Sequence, residues 1–281
     1  MIDTGLSFFS GPAFLILFLV LMVVGWLSGP RLADMVRPEG RSTGAALGAE
    51  ELAFLTGGAR RVSETATAQL LARDAIVHEK KDRFAIRSAG GGQTALESRI
   101  LSTPEPARWN DFLRAGTAEV AGITDRLRAD GMLVGPDEIT KLRMMQAAPY
   151  AFLVFLGAWR IAAGLGLGEP VGFLAILTII ALILMMVRFS RVDMRTKAGI
   201  EAVEAARVAS SRLSRAPTQD EAGRAVALYG TAVLVGTPMV AVHELRQNAF
   251  GGDGGAFVGD GGGDSGDGGG GCGGGCGGCG G

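Results

Sequence analysis

The chain has 281 residues, with 27 Lys and Arg against 28 Asp and Glu, a formal net charge of −1. Such a balance creates no global field for a polyanion. The two histidines, His78 and His243, and three cysteines confined to the last ten residues leave the body of the chain no disulfide and few catalytic or metal constellations. The residues are unevenly spread: apolar blocks alternate with charged stretches, and many of the 45 glycines crowd the C-terminal end.

No charge lies between Asp3 and Arg31. From Phe8 to Leu27 the chain carries an apolar run long enough to cross the ~30 Å hydrocarbon layer, which takes about 20 residues. A secretory signal carries positive charge before its apolar run and a small-residue cleavage site after it. Here Asp3 precedes the run and Arg31, Arg37 and Arg41 follow it. Residues 1–30 are therefore read as a retained N-terminal transmembrane anchor.

Residues 31–146 read as a cytoplasmic domain of short helices with turn breaks. Ala49–Leu55 is expected to be helical and closed by Gly57-Gly58. Arg60–Arg73 is a second helix. Ala75–Glu79 and Phe84–Arg87 flank the charged tip Lys80-Lys81-Asp82-Arg83, a hairpin pattern. Helix, helix, hairpin is the outline of a winged helix. Leu71–Val77 also lines up with Leu127–Leu133, which suggests two degenerate winged-helix-like halves. Acidic and basic residues nearly balance across 31–146. Phosphate binding needs a clear basic excess, so nucleic acid is not expected as a partner.

Residues 147–189 hold two more apolar segments, Pro149–Leu167 and Pro170–Val187, separated by Gly168-Glu169. So short a link forces an antiparallel transmembrane hairpin. Arg160 lies inside the first of these segments. Snorkelling past Gly164, Gly166 and Gly168 explains it without a conduction path. Lys and Arg mark the cytoplasmic side. They follow the first and third segments and precede the second, whereas 1–10 and 168–169 hold none. The N-terminus is thus placed outside and the main domain in the cytoplasm.

Residues 190–250 form a cytoplasmic helical region. A helix over Asp193–Ser214 is expected to continue from the third span. The uncharged stretch 225–242 is either a small-residue hairpin packed on the domain or a fourth crossing, weakened by Gly230, Gly236 and Pro238. From 251 to 281 the chain is a Gly-rich tail, expected to be disordered because it has nothing with which to build a core. Cys272, Cys276 and Cys279 are its candidate metal ligands, for a soft ion such as Zn²⁺ or Cu(I). Their spacing is that of radical-SAM clusters, but Gly278 replaces the usual aromatic. The alternative is a tail with no chemistry.

Taken together, Glu51–Val62, Gly168–Leu174, Arg195–Gly199, Val226–Gly230 and the Cys-Gly terminus resemble an uncharacterised family of bacterial membrane proteins, defined by a domain adjacent to a low-complexity Gly/Cys-rich tail. The resemblance implies the bacterial cytoplasmic (inner) membrane and supplies no catalytic residue. The fold class is mostly α: a multi-pass membrane protein of three transmembrane helices, with a small α+β winged-helix-like cytoplasmic domain. No phosphate-binding loop or paired-histidine motif is present. The expected function is a non-enzymatic adaptor or scaffold, lying in the lipid bilayer and docking a protein partner through its cytoplasmic domain. The alternative is a metal- or redox-responsive membrane protein that uses the Cys-rich tail.

Overall fold

The computed structural model describes residues 11–41, 46–167 and 170–251. In chain order it contains α1 (Gly11–Met35), α2 (Ala49–Ala72), β1 (Ile76–His78), β2 (Arg83–Ile86), α3 (Ala95–Leu101), β3 (Ala107–Arg108) and α4 (Trp109–Ala129). There follow α5 (Pro136–Leu167), α6 (Gly172–Ser190), α7 (Lys197–Ala209), α8 (Ala222–Tyr229) and α9 (Val240–Gly251).

Helices α1, α5 and α6 are long and apolar enough to cross a membrane. They form one bundle around Phe14, Phe18, Tyr150, Leu153, Leu174 and Ala181. Small residues set the spacing. A Cβ on Gly157 would lie 2.3 Å from Thr178 Oγ1, so α5 and α6 approach as closely as only glycine permits. Moving back along α5 from Gly157 to Arg143 moves the contact forward along α6 from Thr178 to Phe189, so the two helices are antiparallel. Helix α5 starts well before the apolar run. Its 32 residues span about 48 Å at ~1.5 Å per residue, more than a bilayer core. Pro136 at its first position costs no hydrogen bond, and Glu138 Oε2 accepts the Gly135 amide at 3.4 Å.

The remaining elements share one core that runs from Leu52 to Leu245, so the regions before and after the hairpin of spans fold together. Helix α2 is its axis and is buried on every side from Val62 to Ala68. A Cβ on Gly116 of α4 would lie 1.8 Å from Ser63 Oγ, and one on Gly223 of α8 would lie 2.2 Å from Gln69 Cγ. Two glycines thus let α4 and α8 close on α2. The expected hairpin is present, pairing Ile76 with Ile86 and His78 with Phe84, and Lys81 takes φ +55° in its turn. β3 extends it on the far edge of β2, pairing Phe84 with Ala107.

Three expectations need adjustment. The winged-helix outline is not supported: the helix before the hairpin is buried between α4 and α8, and the third strand arrives only after α3. The two look-alike stretches share a helix terminus rather than a domain. The amides of Ala75 and Met132 donate to the carbonyls of Leu70 and Leu127, and those of Asp74 and Gly131 to Leu71 and Arg128. Each is a Schellman cap with a left-handed residue, Asp74 or Gly131. After Met132 no hairpin follows; Leu133 bridges to Arg195 instead. Helix α7 does not continue α6, because 191–196 is spent on that bridge. Of the two readings of the uncharged stretch 225–242, the packed one fits the structure and the crossing does not. The stretch breaks at Gly230 (φ +86°) and packs α8 and a short 3-10 turn, Thr231–Leu234, into the core.

Candidate functional site

Two stretches far apart in the chain, Glu51–Val62 and Val226–Gly230, meet in space. Helix α2 breaks at Gly57-Gly58, with Gly58 at φ +67°, which frees the following turn to face α8. Thr56 Oγ1 donates to the Ala227 carbonyl, and Arg61 Nη1 donates to that of Val226 at 3.3 Å. Gly230 caps α8 against the Arg61 guanidinium, where a Cβ would lie 3.2 Å from Nη1.

One turn further along α2 lies Glu64, 1% exposed. Arg61 Nε stands 3.2 Å from its Oε2, Arg246 Nη1 of α9 stands 3.6 Å from the same atom, and Arg60 Nε is 4.0 Å from Oε1. Neither carboxylate oxygen accepts an aligned hydrogen bond among the described residues. Burial pushes the Glu64 carboxyl above its ordinary range; the charges of Arg246, Arg61 and Arg60 pull it back only in part. The arrangement is a charge network that ties α9 to the axis of the domain. It offers no nucleophile. Among the described residues, no group of three or more His, Cys, Asp or Glu is placed to hold a metal.

A second buried carboxylate, Glu97, accepts from Arg73 Nη2 and from the Gln93 amide at 2.7 Å, which fixes α3 to the end of α2. Beside it, Thr94 Oγ1 donates to Glu50 at 2.5 Å. Burial raises the Glu50 carboxyl and outweighs that bond.

The third cluster joins domain and bundle. Segments 37–41, 131–135 and 192–199 lie side by side as a collar. The Val134 amide donates to Met194, Thr196 to Met132, Arg41 to Gly131 and Lys197 to Pro38. Arg37, 9% exposed, donates to the carbonyls of Asp193 (3.1 Å) and Arg195 and to Asp34 Oδ1 at 3.0 Å. A Cβ on Gly199 would lie 2.3 Å from the Met132 carbonyl, and one on Gly40 (φ +77°) would lie 2.4 Å from that of Gly131. Burial alone would raise the Asp193 carboxyl, but hydrogen bonds and charge from Arg195, with the charge of Arg37, hold it below its ordinary value. Ala33, Val134, Ile139, Leu142 and Val192 fill the space beneath.

Of the residues singled out from sequence, Cys272, Cys276 and Cys279 lie outside the described residues. His78 sits on β1, its ring 5.4 Å from that of Phe84 and its Nε2 2.8 Å from the Lys81 carbonyl. His243 is held between Thr231 (3.1 Å) and Gln247 (2.9 Å). The Arg160 guanidinium lies 5.8 Å from the Phe14 ring centroid. The spacing of Arg60, Arg61 and Glu64 is the i,i+3 and i,i+4 signature of intrahelical pairs, but nothing local points to Arg246 or to the collar.

No protein-family model matches the chain, and no curated protein or solved structure is similar to it. The fold itself defines the class: a membrane protein with three candidate spans and a single folded polar domain clasped to one end of them.

Proposed function

We propose that the chain is a non-enzymatic, membrane-anchored adaptor of the bacterial inner membrane, whose polar domain faces the cytoplasm and docks a protein partner. The observation that carries this reading is the collar. A domain on a flexible stalk needs no such joint, whereas a docking platform gains from a fixed height and orientation, because little freedom is then lost on binding. The charge networks described above serve the same rigidity.

Away from the bundle and its ends, Val208 (70% exposed) and Val235 (60%) are the large apolar side chains turned to solvent among the described residues. They are the natural anchors for a partner. The test is a photo-crosslinking amino acid placed at 208, at 235 and, as a control, at 114, in cells that express the full chain. The reading expects a discrete protein adduct at 208 or 235 that is missing at 114. Adducts to lipid alone, or none at any domain position, would remove it.

A further inference from the structure

Basic residues collect at the domain end of the bundle. Three of the collar cations have a carboxylate: Arg37 with Asp34, Arg195 with Asp193 at 2.7 Å, and Lys197 with Glu39 at 2.6 Å. Closer to the apolar helices, Arg143 of α5 and Arg188 of α6 have no carboxylate partner among the described residues. What holds them is aromatic. The Arg188 guanidinium lies 3.9 Å from the Trp26 ring centroid and Nη2 donates to the Trp26 carbonyl at 3.1 Å. Arg143 lies 5.8 Å from the ring centroid of Phe189.

Arg143 Nε and Arg188 Nε also lack an acceptor among the described residues, and the Arg188 guanidinium stands beside the hydroxyl of fully buried Tyr150. Arginine carries five N–H donors, so the Trp26 carbonyl and the Tyr150 hydroxyl leave part of the Arg188 fork unused. Unanswered donors beside an apolar phase are costly, so this place calls for an acceptor from outside the chain. Aromatic stacking holds the Arg188 plane ready for a bidentate oxyanion. Trp26 marks the height, since tryptophan collects at the headgroup level of a bilayer.

We infer that Arg143, set against Phe189, and Arg188, set against Trp26, bind the phosphates of anionic phospholipid headgroups where α1, α5 and α6 meet the polar domain. The inference rests on the reading of the three helices as spans and is independent of any protein partner. The lipid supplies the negative charge that the collar obtains from Asp34, Asp193 and Glu39. An acceptor brought by the membrane, rather than by the chain, couples the seating of the domain to lipid composition.

The full chain is purified in detergent and reconstituted into nanodiscs of phosphatidylcholine with and without phosphatidylglycerol. Lipid retained on the protein is then counted by native mass spectrometry. Two basic side chains at an anionic surface favour the charged lipid by roughly tenfold over the zwitterionic one, and Arg143→Gln with Arg188→Gln brings that ratio close to one. Arg114→Gln, on α4 and exposed, leaves the ratio unchanged. If the double variant misfolds, the wild-type ratio decides alone: reconstitution into both discs with no preference overturns the site while the spans stand. Failure to enter any disc overturns the spans and the site with them. Inorganic phosphate that reproduces the thermal stabilisation given by phosphatidylglycerol would also overturn the lipid assignment, because a small free anion would then suffice.

Discussion

Helices α2 and α6 reverse the usual relation between polarity and burial. α6 is the most apolar element among the described residues, yet it buries only Leu174 and Ala181 within the protein. α2 carries Arg60, Arg61, Glu64 and three threonines, yet it is buried on every side from Val62 to Ala68. Long apolar runs suit surroundings other than water, and α6, which is long and apolar enough to cross a membrane, leaves most of its surface outside the protein. A polar helix, in contrast, can be the axis of a domain when hydroxyls are answered by its own carbonyls and a buried carboxylate is flanked by arginines, as Glu64 is. Thr67 Oγ1 donates to the Ser63 carbonyl at 2.8 Å, and Thr56 Oγ1 answers Leu52 at 2.9 Å.

The sharpest way to break this comparison is to remove equal bulk from each helix. Leu70→Ala, in the fully buried face of α2, should cost about 2–5 kcal/mol in a denaturant titration of the reconstituted protein. If it costs little, α2 is not the axis of the core. Placing a charge in α6 tests the other half: Ile183→Arg should penalise insertion by about 2.5–3.5 kcal/mol, read as the fraction of chain resistant to alkaline extraction. Next comes the joint between the two regions. Arg37→Met removes donors from two carbonyls and one carboxylate, and should cost about 1–3 kcal/mol while increasing protease cleavage within 37–41.

Smaller effects depend on pH. The raised Glu64 carboxyl favours the protonated form in the folded state. Its contribution to stability is therefore fully present below the unfolded value and is lost as pH rises through the folded one. Glu64→Gln should flatten that part of the profile of thermal midpoint against pH. The lowered Asp193 carboxyl acts in the opposite sense: its stabilisation is present above the ordinary aspartate range and is lost as pH falls through the folded value. Asp193→Asn should flatten the acid limb. The least effect is expected of Ile183→Ala, where a side chain 54% exposed within the protein faces lipid before and after folding; its stability should stay within about 0.5 kcal/mol of the parent.

Much of the bundle was legible from residue order alone. The apolar runs that define α1, α5 and α6 are local facts, and so is the two-residue link that forces the hairpin of spans. The β1–β2 hairpin was legible because its charged tip lies between two short apolar strands. The extension of α5 back to Pro136 was not, since Asp137, Glu138, Lys141 and Arg143 read as the end of a soluble domain. β3 escaped because two residues carry no periodicity. The similarity of Leu71–Val77 to Leu127–Leu133 misled, because two Schellman caps need similar residues whatever fold surrounds them.

The candidate sites divide along the same line. Arg60, Arg61 and Glu64 stand close in the chain, and their pairing follows from helical geometry. Arg246, the collar strands and the stacking of Arg188 on Trp26 come from far along the chain, and nothing in local composition foretells them.

By itself the sequence determined which segments avoid water, that a helix closes at Gly57-Gly58, and that charge nearly balances over the whole chain. These are properties of single residues and their near neighbours, where backbone preference and transfer free energy act. Only the tertiary structure decided that α2 is buried and α6 is not, that 225–242 joins the core instead of crossing the bilayer, and that Arg37, Asp193 and Gly199 form one collar. Those outcomes depend on which surfaces find each other across the chain, because burying a polar group is tolerable only where a partner from elsewhere arrives to meet it.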